Sequence, residues 1–485
     1  MRTEIKKRKK KKARRSRQAL YASVIFTLIF AGMIANLVLF ELNESGVAYT
    51  NTYNERRMES IRQETRRGNI FAAKGELLAY STEDASGNEI RRYPYGRLFA
   101  HSVGYASQGA SGIEKSCGQY LMRSDISLDE KLSNDLHGKK DAGDDVYLTL
   151  DPAVQEVAYN ALGDYRGAVV VSEVKTGRIL ALVSKPDFDP GDIDKKWDKI
   201  RGDEEKSPLL NRASQGLYPP GSTFKIITAL EYIRENSDTY EDYHFNCSGK
   251  FTYEDSTISC FHGNVHGAED LTESFADSCN SSFANIGTGL DRLKFADTLE
   301  SLYFNKELPV DIVSNQSHVS MRKNMSAKSI IQTAIGQSET MISPLHLNMI
   351  TSSIANGGVM MRPYMTEKIC SGDGRVLKSF KPETLSRVMT EDEASALCSL
   401  MEAVVEKGTG KALAGQPYTA AGKTGSAEFS DSSDLSHAWF TGFAPAEDPE
   451  IAVTVIMEKA GTGGSCAAPL AKRIFADYFA RKMLK

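Results

Sequence analysis

Ser222 and Lys225 stand three residues apart in Tyr218-Pro219-Pro220-Gly221-Ser222-Thr223-Phe224-Lys225. A hydroxyl and an amine one helical turn apart can serve as a nucleophile and its base. Serine is a poor nucleophile until a neighbour removes its proton, and a lysine does so only when burial or a second cation lowers its pKa. Two more stretches supply the missing parts. Ser278-Cys279-Asn280 offers a hydroxyl to relay a proton between lysine and leaving group, and an amide to hold a substrate amide. Ala421-Gly422-Lys423-Thr424-Gly425-Ser426 offers the second cation in Lys423 and a hydroxyl for a substrate carboxylate in Thr424. Gly425 would keep that strand bare, so that an extended peptide can lie beside it.

The surrounding elements must bring these residues together. Two prolines and a glycine close the loop before Ser222, and Phe224, Ile226, Ile227, Ala229 and Leu230 begin an apolar helix. Ser222 is thereby expected at a helix N-terminus, where free N–H groups can stabilise an oxyanion. Isolated matches to such short patterns carry little weight. Ser172/Lys175, Ser320/Lys323, Ser86/Asn88 and Lys175-Thr176-Gly177 fit them too. Context marks these as structural: Lys175-Thr176-Gly177 reads as a hairpin turn with glycine at the bend, Ser320 lacks the Pro-Gly lead-in and the apolar helix, and Ser86 lies in a polar spacer.

From Asp145 the chain reads as a folded enzyme core. Val146–Leu150 is a strand, and Asp151-Pro152 starts a helix with Asp as N-cap and Pro at N1. Residues 167–172 and 179–183 form a hairpin of buried strands. Helical periodicity is expected from Phe224 to about Leu290 and from Ile330 to Ala355. Strands return at Tyr418–Phe429, Ala438–Phe443 and Ile451–Met457, and a helix over Pro469–Leu484 follows. Strands at both ends enclosing helices predict an α+β fold, one antiparallel sheet with helices packed on it. Residues 41–145 are more polar and predict a pedestal, with a short strand pair around Arg67–Ile70 and Gly75–Leu78.

Ala19 to Phe40 is a run of 22 residues without a charge, long enough as a helix to cross a bilayer. No small-residue cleavage site follows it, so it reads as an uncleaved anchor. Residues 1–18 hold eleven Lys or Arg and one acid, which leaves 48 bases against 62 acids in the rest. The basic head predicts a cytoplasmic N-terminus and an exported body; its second reading is contact with anionic lipid. The net −14 of the remainder excludes a nucleic-acid-binding body. The expected division is a cytoplasmic tail over 1–18, a transmembrane anchor over 19–40, a pedestal over 41–145 and the enzyme over 146–485. Seven scattered cysteines form no disulfide framework and no CxxC pair. Cys247 and Cys260 flank a segment that can fold back as a hairpin, and an exported domain permits a disulfide there without requiring it.

The three motifs together resemble the signature set of penicillin-binding proteins and serine β-lactamases. Asn211-Arg212-Ala213, His266-Gly267, Gly336-Gln337 with Ser343-Pro344-Leu345, and His437-Ala438-Trp439-Phe440 narrow the resemblance to class B penicillin-binding proteins. Arg67-Gly68-Asn69-Ile70 and Tyr93-Pro94-Tyr95-Gly96 are similar to the class B pedestal, and the short pedestal to the compact, PbpA-like branch. The resemblance covers about residues 65–480, and no stretch resembles a glycosyltransferase domain. It implies a penicillin-binding/β-lactamase-like transpeptidase domain with helices on both sheet faces. It also implies that Ser222 is the acylated nucleophile, Lys225 its base, Ser278 and Lys423 proton-transfer partners, and Ser222 and Ser426 the oxyanion N–H donors. Ser426 stands where the family more often has Thr, which predicts altered β-lactam fit with catalysis retained. Implied substrates are stem peptides ending in D-Ala-D-Ala, with the amine of a second stem as acceptor. β-Lactams are implied inhibitors. A SEDS-family membrane polymerase is the implied partner, docking on spacer and membrane helix. No cofactor or metal is expected.

Rival readings follow from the same residues. Hydrolysis, as a carboxypeptidase or β-lactamase, needs only water in place of the amine. A β-lactam sensor or division scaffold with little or no transpeptidation would keep the fold without the turnover. His262 and His266 read as loop residues, Cys279 as no nucleophile, and His437 and Trp439 as a border of the cleft. Arg212 either orders its loop or contacts substrate.

Overall fold

The structure is a computed structural model that describes residues 2–43, 64–427 and 436–484. The chain divides into two compact units, Met1–Ile61 and Arg62–Lys485. The first contains one helix, α1 (Arg2–Asn43). Its segment Leu20–Leu39 has a mean hydropathy of 2.3 and is long and apolar enough to cross a membrane. The helix continues through the basic tail, because straight-chain lysines and arginines are good helix formers. Residues 44–63 of the expected pedestal, and the end of the expected Tyr418–Phe429 strand at 428–429, lie outside the described residues.

The second unit is built on a five-stranded antiparallel sheet. Its strands are β1 (Gly167–Glu173), β2 (Ile179–Lys185), β3 (Ala421–Ala427), β4 (His437–Ala444) and β5 (Ile451–Met457), in the spatial order β3-β4-β5-β1-β2. The strands read as continuous apolar runs because both faces are covered. Val169, Val171, Val453 and Val455 face one core with Val154, Ala158, Ile474 and Phe475. Ala168, Val170 and Ile456 face the other, with Leu347, Ile350 and Ile354. The first core lies under α2 (Pro152–Leu162) and the C-terminal helix Ala468–Met483. The second holds residues of α3 (Lys225–Glu235), α4 (Leu271–Ala276) and α5 (Asn280–Gly289), against which α6 (Ala327–Ala334) packs, and of α7 (Pro344–Ala355) and α8 (Glu391–Glu406). Asp151 caps α2 by accepting from Ala153 N, as its sequence predicts.

A second sheet carries the pedestal. Its six strands run Val376–Ser379, Thr366–Cys370, Asp145–Leu148, Ile70–Phe71, Leu77–Glu83 and Glu89–Arg92. The expected strand pair is present, with Ile70 opposite Ala79. The sheet also crosses the 145/146 junction: Asp145–Leu148 pairs in parallel with Ile70–Phe71 and antiparallel with Thr366–Cys370. Residues on the two sides of that junction thus share a continuous hydrogen-bonded ladder. Fully buried Glu114 receives Arg67 Nε at 2.6 Å and Arg91 Nε at 2.7 Å within the pedestal.

Two stretches depart from the expected helices. Between α3 and α4 the chain forms strands at His244–Cys247, Lys250–Tyr253, Ser256–Ser259 and Gly267–Asp270. Residues 250–253 and 256–259 alternate between exposed and half-buried, a period of two. Their tight turn places Glu254 at φ +52°. Residues 335–343 break the second expected helix, with Gly336 at φ +74°; Ser343 then caps α7 through His346 N and Pro344 begins it.

Candidate active site

Residues Gly221–Phe224 form one tight 3-10 turn that runs directly into α3. Ser222 sits on this turn and opens into a cleft of 940 Å³ that also exposes Ser278, Asn280, Gln337, Thr424, Gly425 and Ser426. The turn is pinned from several sides. Gly221 N donates to Gly336 O at 3.0 Å, and a Cβ on Gly336 would stand 2.2 Å from Gly221 O. Fully buried Trp439 donates from Nε1 to Pro219 O at 2.9 Å. Arg212, 1% exposed, donates to Glu458 at 2.7 Å and to the carbonyls of Ser207 and Lys206. Tyr218 Oη donates to the same Glu458 oxygen at 2.9 Å. Arg212 therefore orders the lead-in loop. Glu458, which ties it to Tyr218, was not legible in the sequence: an acid just past a strand carries no signal of its own.

Ser278 occupies the turn between α4 and α5 with φ +59°, a left-handed conformation that costs a non-glycine residue energy. That turn presents both its oxygens to the lysines. Lys225 Nζ donates to Ser278 O at 2.5 Å, to Ser278 Oγ at 3.3 Å and to Asn280 Oδ1 at 2.8 Å. Lys423 Nζ donates to Ser278 Oγ at 3.0 Å and to Thr424 O at 3.2 Å. Both lysines are fully buried. Burial lowers Lys225 to about 7. Burial and then the charge of Lys225 hold Lys423 well below the lysine range. Two ammonium groups cannot both keep their charge in one dry pocket, so near neutral pH the pair carries fewer than two protons. That leaves an amine able to accept a proton beside the cleft.

Among the described residues Ser222 Oγ makes no hydrogen bond, and Lys225 Nζ is engaged by Ser278 and Asn280 instead. Catalytic hydrogen bonds often tighten only around substrate. Asn280 lines the cleft and also makes contacts within the protein. Its Oδ1 accepts from Lys225 and its Nδ2 donates to Ser259 O at 3.1 Å, so the amide serves the lysine and the fold. Gly425 lines the cleft too, and its bareness has a further effect. A Cβ there would meet Pro220 O at 2.9 Å and Thr223 Cγ2 at 3.0 Å, so its bareness lets the Ser222 turn approach β3. Thr424 pairs with Thr409 Oγ1 at 2.5 Å, a residue that no motif marks. Ser426 Oγ accepts from Gly463 N at 3.3 Å.

His437 and Trp439 do not line the cleft; they pack against Tyr218, with ring centroids 5.7 Å and 6.1 Å away. The rejected motif copies are structural. Ser172 Oγ donates to Asn348 at 2.6 Å in the core, Lys175 pairs with Asp448 at 2.7 Å on the surface, and Ser86 lies in a turn held by Asp84. None of the seven cysteines is in a disulfide. The 250–259 hairpin forms, and Cys247 Sγ lies 3.6 Å from Cys260 Sγ.

Residues 167–476 match the penicillin binding protein transpeptidase domain, and residues 67–146 match the penicillin binding protein A dimerisation domain. The chain is 34% identical over 441 residues to the peptidoglycan D,D-transpeptidase PbpA of Mycolicibacterium smegmatis, covering 84% of this chain and 88% of the relative. Among solved structures it resembles the D,D-transpeptidase domain of a peptidoglycan glycosyltransferase from Eggerthella lenta. That likeness has a TM-score of 0.79 at 30% identity, over 87% of this chain and 100% of the other. The ceftriaxone acyl-enzyme of penicillin-binding protein A from Mycobacterium tuberculosis matches with a TM-score of 0.79 at 28% identity, over 86% and 99%.

Proposed function

This chain belongs to the class B penicillin-binding proteins, the monofunctional peptidoglycan D,D-transpeptidases, and we propose that Ser222 is the residue through which it works. It cross-links stem peptides ending in D-Ala-D-Ala and is acylated by β-lactams. The observation that carries the site assignment is the convergence of Lys225 and Lys423 on Ser278, in the wall of the cleft onto which Ser222 opens.

In this reading, Ser222 Oγ attacks the carbonyl of the penultimate D-Ala while neutral Lys225 takes its proton. Ser278, held between the two lysines, delivers a proton to the departing D-Ala amine. The N–H groups of Ser222 and Ser426 receive the oxyanion. Thr424 and Ser426 hold the terminal carboxylate. Gly425 admits the nucleophile turn and leaves β3 bare for the extended peptide, and Asn280 holds the substrate amide while its Oδ1 keeps Lys225 in place. A second stem amine then takes the acyl group from Ser222, by the same proton path in reverse.

We assign residues 41–145 to a pedestal and 146–485 to the enzyme, supported by the separate matches at 67–146 and 167–476. The basic run before Leu20–Leu39 supports a single-pass anchor with a cytoplasmic N-terminus and an extracytoplasmic enzyme. The glycan acceptor requires a polymerase. We assign that role to a SEDS-family membrane protein docked on the span and pedestal; co-purification surviving deletion of 41–145 would count against the pedestal.

The test supplies the full chain in detergent with a D-Ala-D-Ala stem peptide and an amine acceptor. Wild type is expected to release D-Ala and form the cross-link, and Ser222→Ala to do neither. Cross-linking by Ser222→Ala would overturn the assignment.

A further inference from the structure

Four side chains that the transpeptidase chemistry does not use meet beside the Ser278 turn, two of them, Cys260 and His266, in the wall of the cleft. Cys247 ends one strand, Cys260 follows the next hairpin, His266 precedes the strand Gly267–Asp270, and Cys279 caps α5. Cys247 Sγ is 3.6 Å from Cys260 Sγ and 3.4 Å from His266 Nδ1, and Cys260 Sγ is 3.8 Å from Cys279 Sγ. All four ligand atoms lie within 4.8 Å of one another. The cysteines are 1%, 3% and 0% exposed.

These separations have the dimensions of a metal polyhedron. Around a tetrahedral Zn²⁺ with Zn–S of about 2.3 Å and Zn–N of about 2.0 Å, the ligand atoms stand roughly 3.5–3.8 Å apart. The sulfurs are also placed as acceptors. Gly249 N donates to Cys247 Sγ at 3.3 Å and Ser282 N to Cys279 Sγ at 3.4 Å, and Ser281 Oγ lies 3.1 Å from Cys260 Sγ. Such bonds suit thiolates better than thiols. A disulfide between any two cysteines would strand the third beside the histidine. Soft sulfur donors with one imidazole select zinc over the oxygen-seeking cations.

We propose that Cys247, Cys260, His266 and Cys279 bind one Zn²⁺ as a closed, four-ligand structural site that holds the Ser278–Asn280 segment in its catalytic position. Binding exchanges the three thiol protons for the metal and releases them to solvent. With four protein ligands the ion has no open position, so it takes no part in acyl transfer as a Lewis acid. Its action is mechanical. Cys279 stands between Ser278 and Asn280, the two residues that receive Lys225 Nζ, and Ser278 is held in a left-handed conformation that needs support from outside the turn. The cysteines and histidine are positioning residues. The metal-binding part is independent of the proposed catalytic roles; the positioning part rests on them.

The full chain, purified in detergent with reductant and without air, is expected to contain one zinc per chain by elemental analysis. Replacement by Co²⁺ should give the intense thiolate-to-cobalt charge-transfer absorption of a tetrahedral sulfur site. Cys247→Ser and His266→Ala should lose that absorption, and the wild-type spectrum stands as evidence even where a variant fails to fold. Chelation should slow acylation by a fluorescent penicillin at least about tenfold, the effect of disturbing a metal's supporting shell, and added Zn²⁺ should restore it. Absence of stoichiometric metal from wild type after Zn²⁺ addition, or a Cys247–Cys260 disulfide in the air-free protein, would overturn the site. Stoichiometric zinc whose removal leaves acylation unchanged would overturn the positioning role. Ser222→Ala separates the two readings, because it should abolish labelling and leave zinc content intact.

Discussion

Lys225 Nζ donates to the main-chain oxygen of Ser278 at 2.5 Å, across 53 residues of sequence. That bond joins the start of α3, directly after the Ser222 turn, to the turn that carries Ser278. Ser278 adopts φ +59° at this turn. Lys423 approaches the hydroxyl of the same residue from the sheet. One strained serine is the meeting point of three chain segments.

The rate of acylation follows from the charge of this group. Burial brings Lys225 to about 7. Only its neutral form accepts the Ser222 proton, so the acylation rate constant of the full chain should rise with pH and reach half its plateau near 7. The stability sign is the same: between the folded value and the unfolded 10.5, the unfolded chain binds more protons, so stability rises with pH. Asn280→Asp places an anion against Nζ and should move the kinetic midpoint up by about 1–3 pH units. A midpoint that stays put in this variant would contradict Lys225 as the base.

Gly425→Ala tests how β3 meets the nucleophile turn. The added Cβ would press on Pro220 O at 2.9 Å and on the Thr223 side chain. Misplacing a reacting atom by about 1 Å costs roughly 10²-fold in rate. A loss of that size in penicillin acylation, with circular dichroism unchanged, is expected; full activity would show that β3 yields without moving Ser222.

How far could this arrangement be read from the residues alone? The hairpin of β1 and β2 was legible because apolar runs flank a Lys-Thr-Gly turn, and the three catalytic motifs because order and context agreed. The strands between residues 244 and 270 were not, since four-residue strands leave too little period to distinguish from helix. The ties of Asn280 and Gly425 were hidden for a different reason: both face protein atoms distant in sequence. The Cys247–Cys260–His266–Cys279 cluster has ligands on four separate pieces of chain, so no CxxC spacing betrays it.

Residues 67–114 hold a fully buried carboxylate, Glu114, between Arg67 and Arg91. Burial pushes the Glu114 carboxyl up, but Arg67 and Arg91 outweigh it and hold it below the usual carboxylate range. Its stabilising contribution is present above the unfolded value and lost as pH falls through the folded one. Arg67→Ala removes one cation from a fully buried carboxylate, and breaking such a pair costs about 3–5 kcal/mol. Thermal unfolding of the full chain should shift down accordingly; an unchanged midpoint would show that Arg91 suffices.

Ser222 is the proposed carrier of the acyl group. Incubation of the full chain with penicillin, followed by proteolysis and mass spectrometry, should place the penicilloyl adduct on the peptide containing Ser222, and Ser222→Ala should yield no adduct. An adduct on any other residue, or equal modification of the variant, would contradict the account.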